Sequence, residues 1–316
     1  MKLLVLLSKQ HLNLAAAEAS ALSRRIYHLE EDLIIVESEP ELLLSRLGFA
    51  HKIIRYLFDC NYADLGPEID KFNWDAEYNS SFSVRADGIE EEGISKQVFR
   101  KLAAPKVNLK TPGTCFFFAR RKDRVFCGVL LGNVDKGYLK RKAHLRPKMH
   151  PTSLHPGLAR ALVNLAGLKK GKVMDPFCGS GGILIEAGLM GLSVTGRDIE
   201  NAQIERAKKN MEFYGLDISG IKAGNALTMS EESDAIVTDM PYGKGSKAKD
   251  ILRLYPEFLE AAKSMTGKLV IMMPDFLEPD KIVKGSGWCI IGCYKYYVHK
   301  SLTRVIFNLR LPYSGS

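Results

Sequence analysis

"VMDPFCGSGG", residues 173–182, runs from apolar residues through an acid into a glycine-rich turn, and "ILIEAGLMG" follows it. That order predicts a strand turning into a helix. In open α/β sheets this junction is where ligands bind, because glycines let the backbone come close and the helix start leaves N–H groups free. The rest of the second half repeats the pattern. Short apolar strands, "KVMD", "LSVTGRD", "DAIVTD" and "KLVIMMP", alternate with the helical stretches "GILIEAGLMG", "NAQIERAKKNMEFYG" and "ILRLYPEFLEAAKSM". This βαβα order predicts a parallel, doubly wound sheet. "WCIIGCYKYYVHK" and "SLTRVIFNLRL" then read as two long strands joined by a tight turn, an antiparallel hairpin at the sheet edge. Ahead of the sheet, "SLHPGLARALVNLAGL" puts Leu154, Leu158, Ala161, Leu165 and Leu168 along one helical face.

Three chemistries compete for the glycine-rich turn. A Walker loop needs G-x-x-x-x-G-K-[ST], and no lysine follows, so it is excluded. A dinucleotide fingerprint needs G-x-G-x-x-G. Gly179 and Gly181 fit it, but Leu184 stands at the third glycine. An acid ahead of G-x-G, here Asp175, Gly179 and Gly181, resembles the first motif of S-adenosylmethionine-dependent methyltransferases of the Rossmann-like class. An open parallel sheet closed by a hairpin resembles the same class. The next strand ends in "GRDIE", whose acid is placed to accept both ribose hydroxyls. Asp198 is the candidate and Glu200 the spare; the competing reading of Asp198 is a cap for the following helix. "AGNAL" places Asn225 where such enzymes often carry an acid for the adenine amino group, and its amide oxygen can accept that bond without charge. Phe177, Ser180, Ile199 and Ala226 flank these positions and complete the expected cofactor set.

"DAIVTDMPYG" ends the next strand beside that crevice and resembles the [DN]-P-P-[YFW] motif of enzymes that methylate exocyclic amino groups on bases. The lone pair of an aromatic amine is delocalised into the ring, so two acceptors must turn its N–H bonds. Asp239 offers a carboxylate and Met240 a backbone carbonyl. Positive charge develops as nitrogen attacks, and a nearby carboxylate stabilises it more than the ground state. Pro241 stiffens the loop, and Tyr242 can stack on a flat base. Met240 replaces the usual proline. The bland alternative is a strand ending in a turn.

The chain has 316 residues, a hydrophobic content of 46% and a net charge of +9, enough for two or three domains, with a mild bias toward polyanionic partners. The apolar run of "MKLLVLLSKQ" is too short for a signal peptide and reads as a first strand; no stretch reaches the length of a membrane span. Six scattered cysteines, with one C-x-x-x-C at Cys289 and Cys293, suit neither zinc nor a disulfide framework, so the expectation is a cytoplasmic protein without metal. In the first half we expect a strand at 2–7, a helix at 11–25, a strand at "DLIIVES", a helix at "PELLLSRLGF" and a strand at "HKIIRYLF". Residues 66–95 read as loop around the strand "FSVRA", followed by the helix "ISKQVFRKLA". "KVNLKTPGTCFFFARRKDRVFCGVLLG" reads as strand, turn, strand, hairpin, strand. "YLKRKAHLRPKMHP" lacks apolar periodicity and reads as a linker. Its Lys140, Arg141, Lys142, Arg146 and Lys148 are candidates for RNA phosphates, against the reading of a merely solvated linker.

Taken together, "HPTSLHPGLARALVNLA", "DPFCGSGGILIEA", "DMPYG" and "VHKSLTR" resemble the archaeal THUMP-domain tRNA guanosine(10) N2-methyltransferases, over roughly residues 80 to 311. "FSVRADG" and "KVNLKTPGTCFFFARR" are similar to THUMP strands. The resemblance implies a ferredoxin-like α+β domain at 1–58, a THUMP RNA-binding domain at 59–140, a linker at 141–152 and a Rossmann-like class I methyltransferase domain at 153–316. It implies S-adenosylmethionine as cofactor and tRNA as partner, gripped at its acceptor end. It implies that Thr152, Ser153 and Leu154 close over the methionine end of the cofactor; the alternative for Ser153 is a helix cap. A sister group acting on guanosine 6 usually carries Asn and Phe in the catalytic motif, so Asp239 and Tyr242 favour position ten. The other classes are a DNA adenine N6-methyltransferase, which flips its base and needs a sequence-reading domain, and a non-catalytic RNA-binding protein, which the intact Asp175, Asp198 and Asp239 disfavour. His299 reads as a turn residue beside Ser301 rather than a pH-sensitive group.

Overall fold

The computed structural model describes residues 1–149, 153–242, 248–300 and 302–312. They form two compact units, each with a seven-stranded sheet. The first unit comprises residues 1–12, 23–45 and 50–134; the second takes 13–22, 46–49 and everything from 135 on.

In chain order the elements up to residue 133 are β1 (Lys2–Leu7), α1 (Leu12–Ala21), β2 (Arg25–Glu30), β3 (Leu33–Glu37), α2 (Pro40–Arg46) and β4 (Ala50–Asn61). Then come α3 (Leu65–Lys71), β5 (Phe82–Asp87), α4 (Glu91–Lys101), β6 (Thr114–Arg121) and β7 (Arg124–Asn133). The sheet order is β2-β3-β1-β4-β7-β6-β5. Long β4 pairs with β1 along its first half and with β7 from Lys52 to Asn61, so one sheet runs through the unit. Strand alternation in β6 sends Phe116 and Phe118 into a core with Trp74, Phe82 and Val98, and Phe117 into another with Leu4, Ile35 and Ile54.

Three expectations fail here. The helix expected to reach residue 25 stops at Ala21, and β2 begins at Arg25 as an edge strand whose apolar Ile26, Tyr27 and Leu29 stay exposed. The stretch read as loop contains α3, which buries only Leu65 and Ile69, too short a pattern for a helical signal. "KVNLK" is not a strand: it makes a single bridge, Val107 to Phe82, and the Asn108 carboxamide accepts from the N–H groups of Lys110 and Thr111 at 3.1 and 3.0 Å to bend the chain. The segment read as a linker has no longer regular element than two short 3-10 turns, Gly137–Arg141 and Ala143–Leu145.

The second unit continues with α5 (Pro156–Leu165), β8 (Lys172–Asp175), α6 (Gly182–Leu189), β9 (Ser193–Asp198), α7 (Asn201–Phe213) and β10 (Ile221–Ala223). It ends with β11 (Ala235–Asp239), α8 (Ala248–Ala262), β12 (Lys268–Pro274), α9 (Pro279–Lys284), β13 (Cys289–His299) and β14 (Leu302–Arg310). The order β10-β9-β8-β11-β12-β14-β13 is parallel through β12. β14 then inserts antiparallel beside β12, leaving β13 at the edge. This is the expected open sheet with its terminal hairpin. α5 is buried on every side, starts at Pro156 rather than Ser153, and is capped by His155, whose Nδ1 accepts from Gly157 N at 3.2 Å. Among the described residues no helix is long and apolar enough to cross a membrane.

Candidate active site

The parallel register carries four strand ends to one place. Asp175 pairs with Gly196 and Asp198 with Ala223, while Asp239 closes β11 against Met272. A cleft of about 510 Å³ opens beyond them, lined by Asp175, Phe177, Gly179, Ser180, Asp198, Ile199, Asn225, Ala226, Ser153, Leu154 and residues 239–242, among others. The expected cofactor and catalytic residues that are described lie around it, Gly181 one residue behind its rim; Thr152 lies outside the described residues.

The glycine turn has the geometry its sequence requires. Gly179 sits at φ +50° and a side chain there would meet nothing, so its backbone faces open space. Gly181 caps α6 at φ +86°, and a Cβ would lie 3.3 Å from that of Ala207 on α7. Asp198 braces this turn: one oxygen accepts from Gly179 N at 2.9 Å and the other from Glu200 N at 2.9 Å. The helix cap of α7 is Glu200, without a side-chain cap bond, so Asp198 is not that cap. Each Asp198 oxygen keeps a second acceptor site, enough for a ribose diol. Ile199 is 76% exposed and offers an apolar wall beside that acid. The Asn225 oxygen already accepts from Leu227 N at 3.0 Å and has one acceptor site left. Open backbone at Gly179, spare carboxylate capacity at Asp198 and an uncovered Ile199 fit an adenosine.

Ser153 does not cap α5; its hydroxyl shares a 2.8 Å hydrogen bond with that of Ser180 in the glycine turn. The preceding segment is tied to the same place by Asn210 of α7. Its oxygen accepts from Lys148 N at 2.8 Å, and its NH₂ donates to Lys148 O and Ser180 O, each at 3.0 Å. Of the basic candidates, two turn inward. Arg141 makes a bidentate pair with buried Glu186 at 2.8 and 2.7 Å, and Arg146 is buried with its Nε donating to Arg141 O at 2.9 Å. Pairing and burial remove both from reach of a phosphate. Lys140 and Lys148 are exposed and Lys142 is half-buried.

Asp175 lies under the turn, fully buried. It accepts from Thr238 Oγ1 at 2.6 Å and Phe177 N at 3.2 Å, and burial pushes its carboxyl up to about 7. Asp239 is next to it at the mouth. Burial pushes the Asp239 carboxyl up to about 6, against the pull of the Arg304 guanidinium and the Tyr242 hydroxyl. Tyr242 donates to Asp239 Oδ1, and Arg304 Nη1 stands 3.6 Å from Oδ2. The Arg304 guanidinium also lies 5.2 Å from the centroid of the Tyr242 ring. Met240 is pinned where the usual proline would be rigid by itself: its N–H donates to Met272 O at 2.9 Å and its side chain is in the core with Tyr255 and Phe258. Tyr255 Oη donates to Pro241 O at 2.9 Å and fixes the next peptide.

Sequence reasoning missed Arg304, Tyr255 and Asn210 as parts of this site. "VHKSLTR" was visible, but only the insertion of β14 beside β12, with Arg304 opposite Pro274, brings the arginine to Asp239. Tyr255 and Asn210 read as ordinary residues of amphipathic helices.

The sequence family described as UPF0020, RMKL-like, methyltransferase domain, matches residues 143–305. The chain is 33% identical to the tRNA (guanine(10)-N2)-dimethyltransferase of Methanothermobacter thermautotrophicus, over 97% of this chain and 98% of that protein. It is 32% identical to the enzyme of the same name from Pyrococcus abyssi, over 93% and 95% of the two chains. Among solved structures, TrmN from Thermus thermophilus superposes with a TM-score of 0.51 at 22% identity, covering 99% of this chain and 100% of that one, a likeness of fold. Fold, strand-end acids and similarity along nearly the whole chain agree: it is a Rossmann-like methyltransferase and belongs to the family of the archaeal tRNA (guanine(10)-N2)-dimethyltransferases.

Proposed function

We propose that this chain methylates the exocyclic N2 of a guanosine in tRNA, at position ten, using S-adenosylmethionine in the cytoplasm. The observation that carries the reading is the sequence Asp239–Met240–Pro241–Tyr242 held rigidly at the end of β11, on the rim of a cleft that fits an adenosine. Asp198 would hold the ribose, Ile199 and Asn225 the adenine, and the turn from Phe177 to Gly181 with Ser153 and Leu154 the remainder. When bound, the cofactor supplies an electrophilic methyl group on sulfur.

The chain's own residues do the rest. The Asp239 carboxylate accepts an N–H of the guanine amine and turns its lone pair out of conjugation, with the Met240 carbonyl as second acceptor. As nitrogen gains positive charge, the carboxylate stabilises it, and it is the nearest base for the proton that nitrogen loses. Tyr242 hydrogen-bonds the same carboxylate and presents ring area to the base. Residues 59–140 would hold the tRNA as a THUMP domain.

The test is transfer of labelled methyl groups to unmodified tRNA and to duplex DNA, followed by nucleoside analysis. N2-methylguanosine or its dimethyl form at position ten of tRNA is the expected product. Label at guanosine 6, or N6-methyladenine in DNA, would overturn the assignment.

A further inference from the structure

Arg304 lies buried in this unit without the close ion pair that Arg141 and Arg160 make. Arg141 grips Glu186 through two bonds of 2.8 and 2.7 Å, and Arg160 completes that set at 3.1 Å. Arg304, only 8% exposed, reaches Asp239 with one nitrogen at 3.6 Å, beyond hydrogen-bond range, and its Nε is buried without a partner. Burying a guanidinium so poorly satisfied opposes folding. Its surroundings show what the charge serves. Asp239 is enclosed by Asp175 on β8, Tyr255 on α8, Tyr242 on its own loop and Arg304 on β14. The first is an acid and the two tyrosines are neutral, so among the described residues around Asp239 the positive charge is that of Arg304.

We propose that Arg304 is a positioning residue for methyl transfer: its guanidinium keeps the Asp239 carboxyl in the ionised, proton-accepting form and, lying along the Tyr242 ring, holds the loop 239–242 toward the cleft. The inference rests on Asp239 being the acceptor described above. The arrangement is a compromise. A cation near the reacting amine opposes the charge that develops there, yet without it a buried carboxyl facing Asp175 would hold its proton and could not accept another. An offset, non-bonded contact meets both demands: it favours the carboxylate while leaving its oxygens free to accept bonds.

The test compares wild type with Arg304→Gln, Arg304→Met and Arg304→Lys in the full chain. The first readout is the pH dependence of single-turnover methyl transfer at saturating tRNA and cofactor. Removing an opposite charge at this range should move the acid limb upward by about 1–3 pH units. The rate of the neutral variants should then recover toward wild type at high pH, and Arg304→Lys should lie near wild type. Folding is checked by circular dichroism and by calorimetric cofactor affinity, both expected unchanged; two neutral side chains of different shape guard against one failing to fold. The second readout needs no activity: the ¹³C carboxyl resonance of Asp239 in the unliganded protein, assigned with Asp239→Asn, should titrate at higher pH in the neutral variants. A folded neutral variant with an unmoved midpoint in the carboxyl titration, or with a rate loss equal at every pH, overturns the proposal. Absence of methylation by wild type would refute the proposed function instead, and the carboxyl titration would still decide the role of Arg304.

Discussion

Asp239 is where burial and chemistry meet most directly. Its carboxyl is raised to about 6, so it is mostly ionised at neutral pH and protonated below that value. The protonated form cannot accept an amine N–H, so the rate should fall as pH drops through about 6. Asp239→Ala should leave cofactor affinity nearly intact while the single-turnover rate falls on the order of a hundred- to a thousandfold, as for loss of one preorganised polar group. Asp239→Asn should be milder, because the amide oxygen still accepts one bond, and it should flatten the acid limb. An Asp239→Ala protein that methylates at near the wild-type rate would return this stretch to an ordinary turn. At this scale the strand-end acids were legible, because in a parallel sheet every strand tip points to the same rim. Arg304 was not: its partner is 65 positions away in sequence, and only strand insertion reveals the pairing.

Elements were legible where their apolar pattern was long. β8, β9, β11, β12 and the β13–β14 hairpin stand where the sequence predicts strands, since buried parallel strands read as continuous apolar runs. α3 and α9, seven and six residues long, bury too few side chains to establish a period, and edge strand β2 shows no inward face. α8 carries more of the site than its pattern suggests. Its Tyr255 is fully buried, and burial, then the nearby charge of Asp239, push the phenol upward, so it remains a donor to Pro241 O at 2.9 Å. Tyr255→Phe keeps the packing and removes that one bond. A single hydrogen bond contributes about 1 kcal/mol, so if it holds the loop in its reactive form the single-turnover rate should fall about fivefold. Cofactor affinity should not change, since Asp198 and the glycine turn are untouched. An unchanged rate with a lowered thermal midpoint would make the bond a matter of stability alone.

At the scale of the whole molecule, the proposed division of labour assigns RNA to the first unit and cofactor to the second. The obvious dissection, a fragment starting near Lys148, is not a fair test. It would strip Glu18 and Arg46 from buried Asn164, and Arg141 from Glu186, and a buried polar group left without its hydrogen-bond partner costs about 1–3 kcal/mol. None of this is marked in the sequence, where nothing sets Glu18 apart from other charged helix residues. The test belongs in the intact chain. In the first unit Lys52 and Lys110 line a groove with Arg85, Pro112 and Phe117; Arg85 is held by Leu109 O at 2.9 Å and neutralised by Glu91 at 3.1 Å, whereas Lys52 donates to the uncharged Asn133 Oδ1 at 3.1 Å. The two lysines are therefore the side chains to remove. If they meet tRNA phosphates, the double change Lys52→Ala, Lys110→Ala should weaken tRNA binding and reduce the slope of log affinity against log salt by about two, one for each lost contact. Cofactor affinity should stay constant, because no residue of the cleft is altered. Lys140→Ala with Lys148→Ala examines the exposed part of the basic segment in the same way. If neither pair changes the salt slope, the phosphate contacts lie elsewhere and the assignment of RNA to the first unit loses its electrostatic basis.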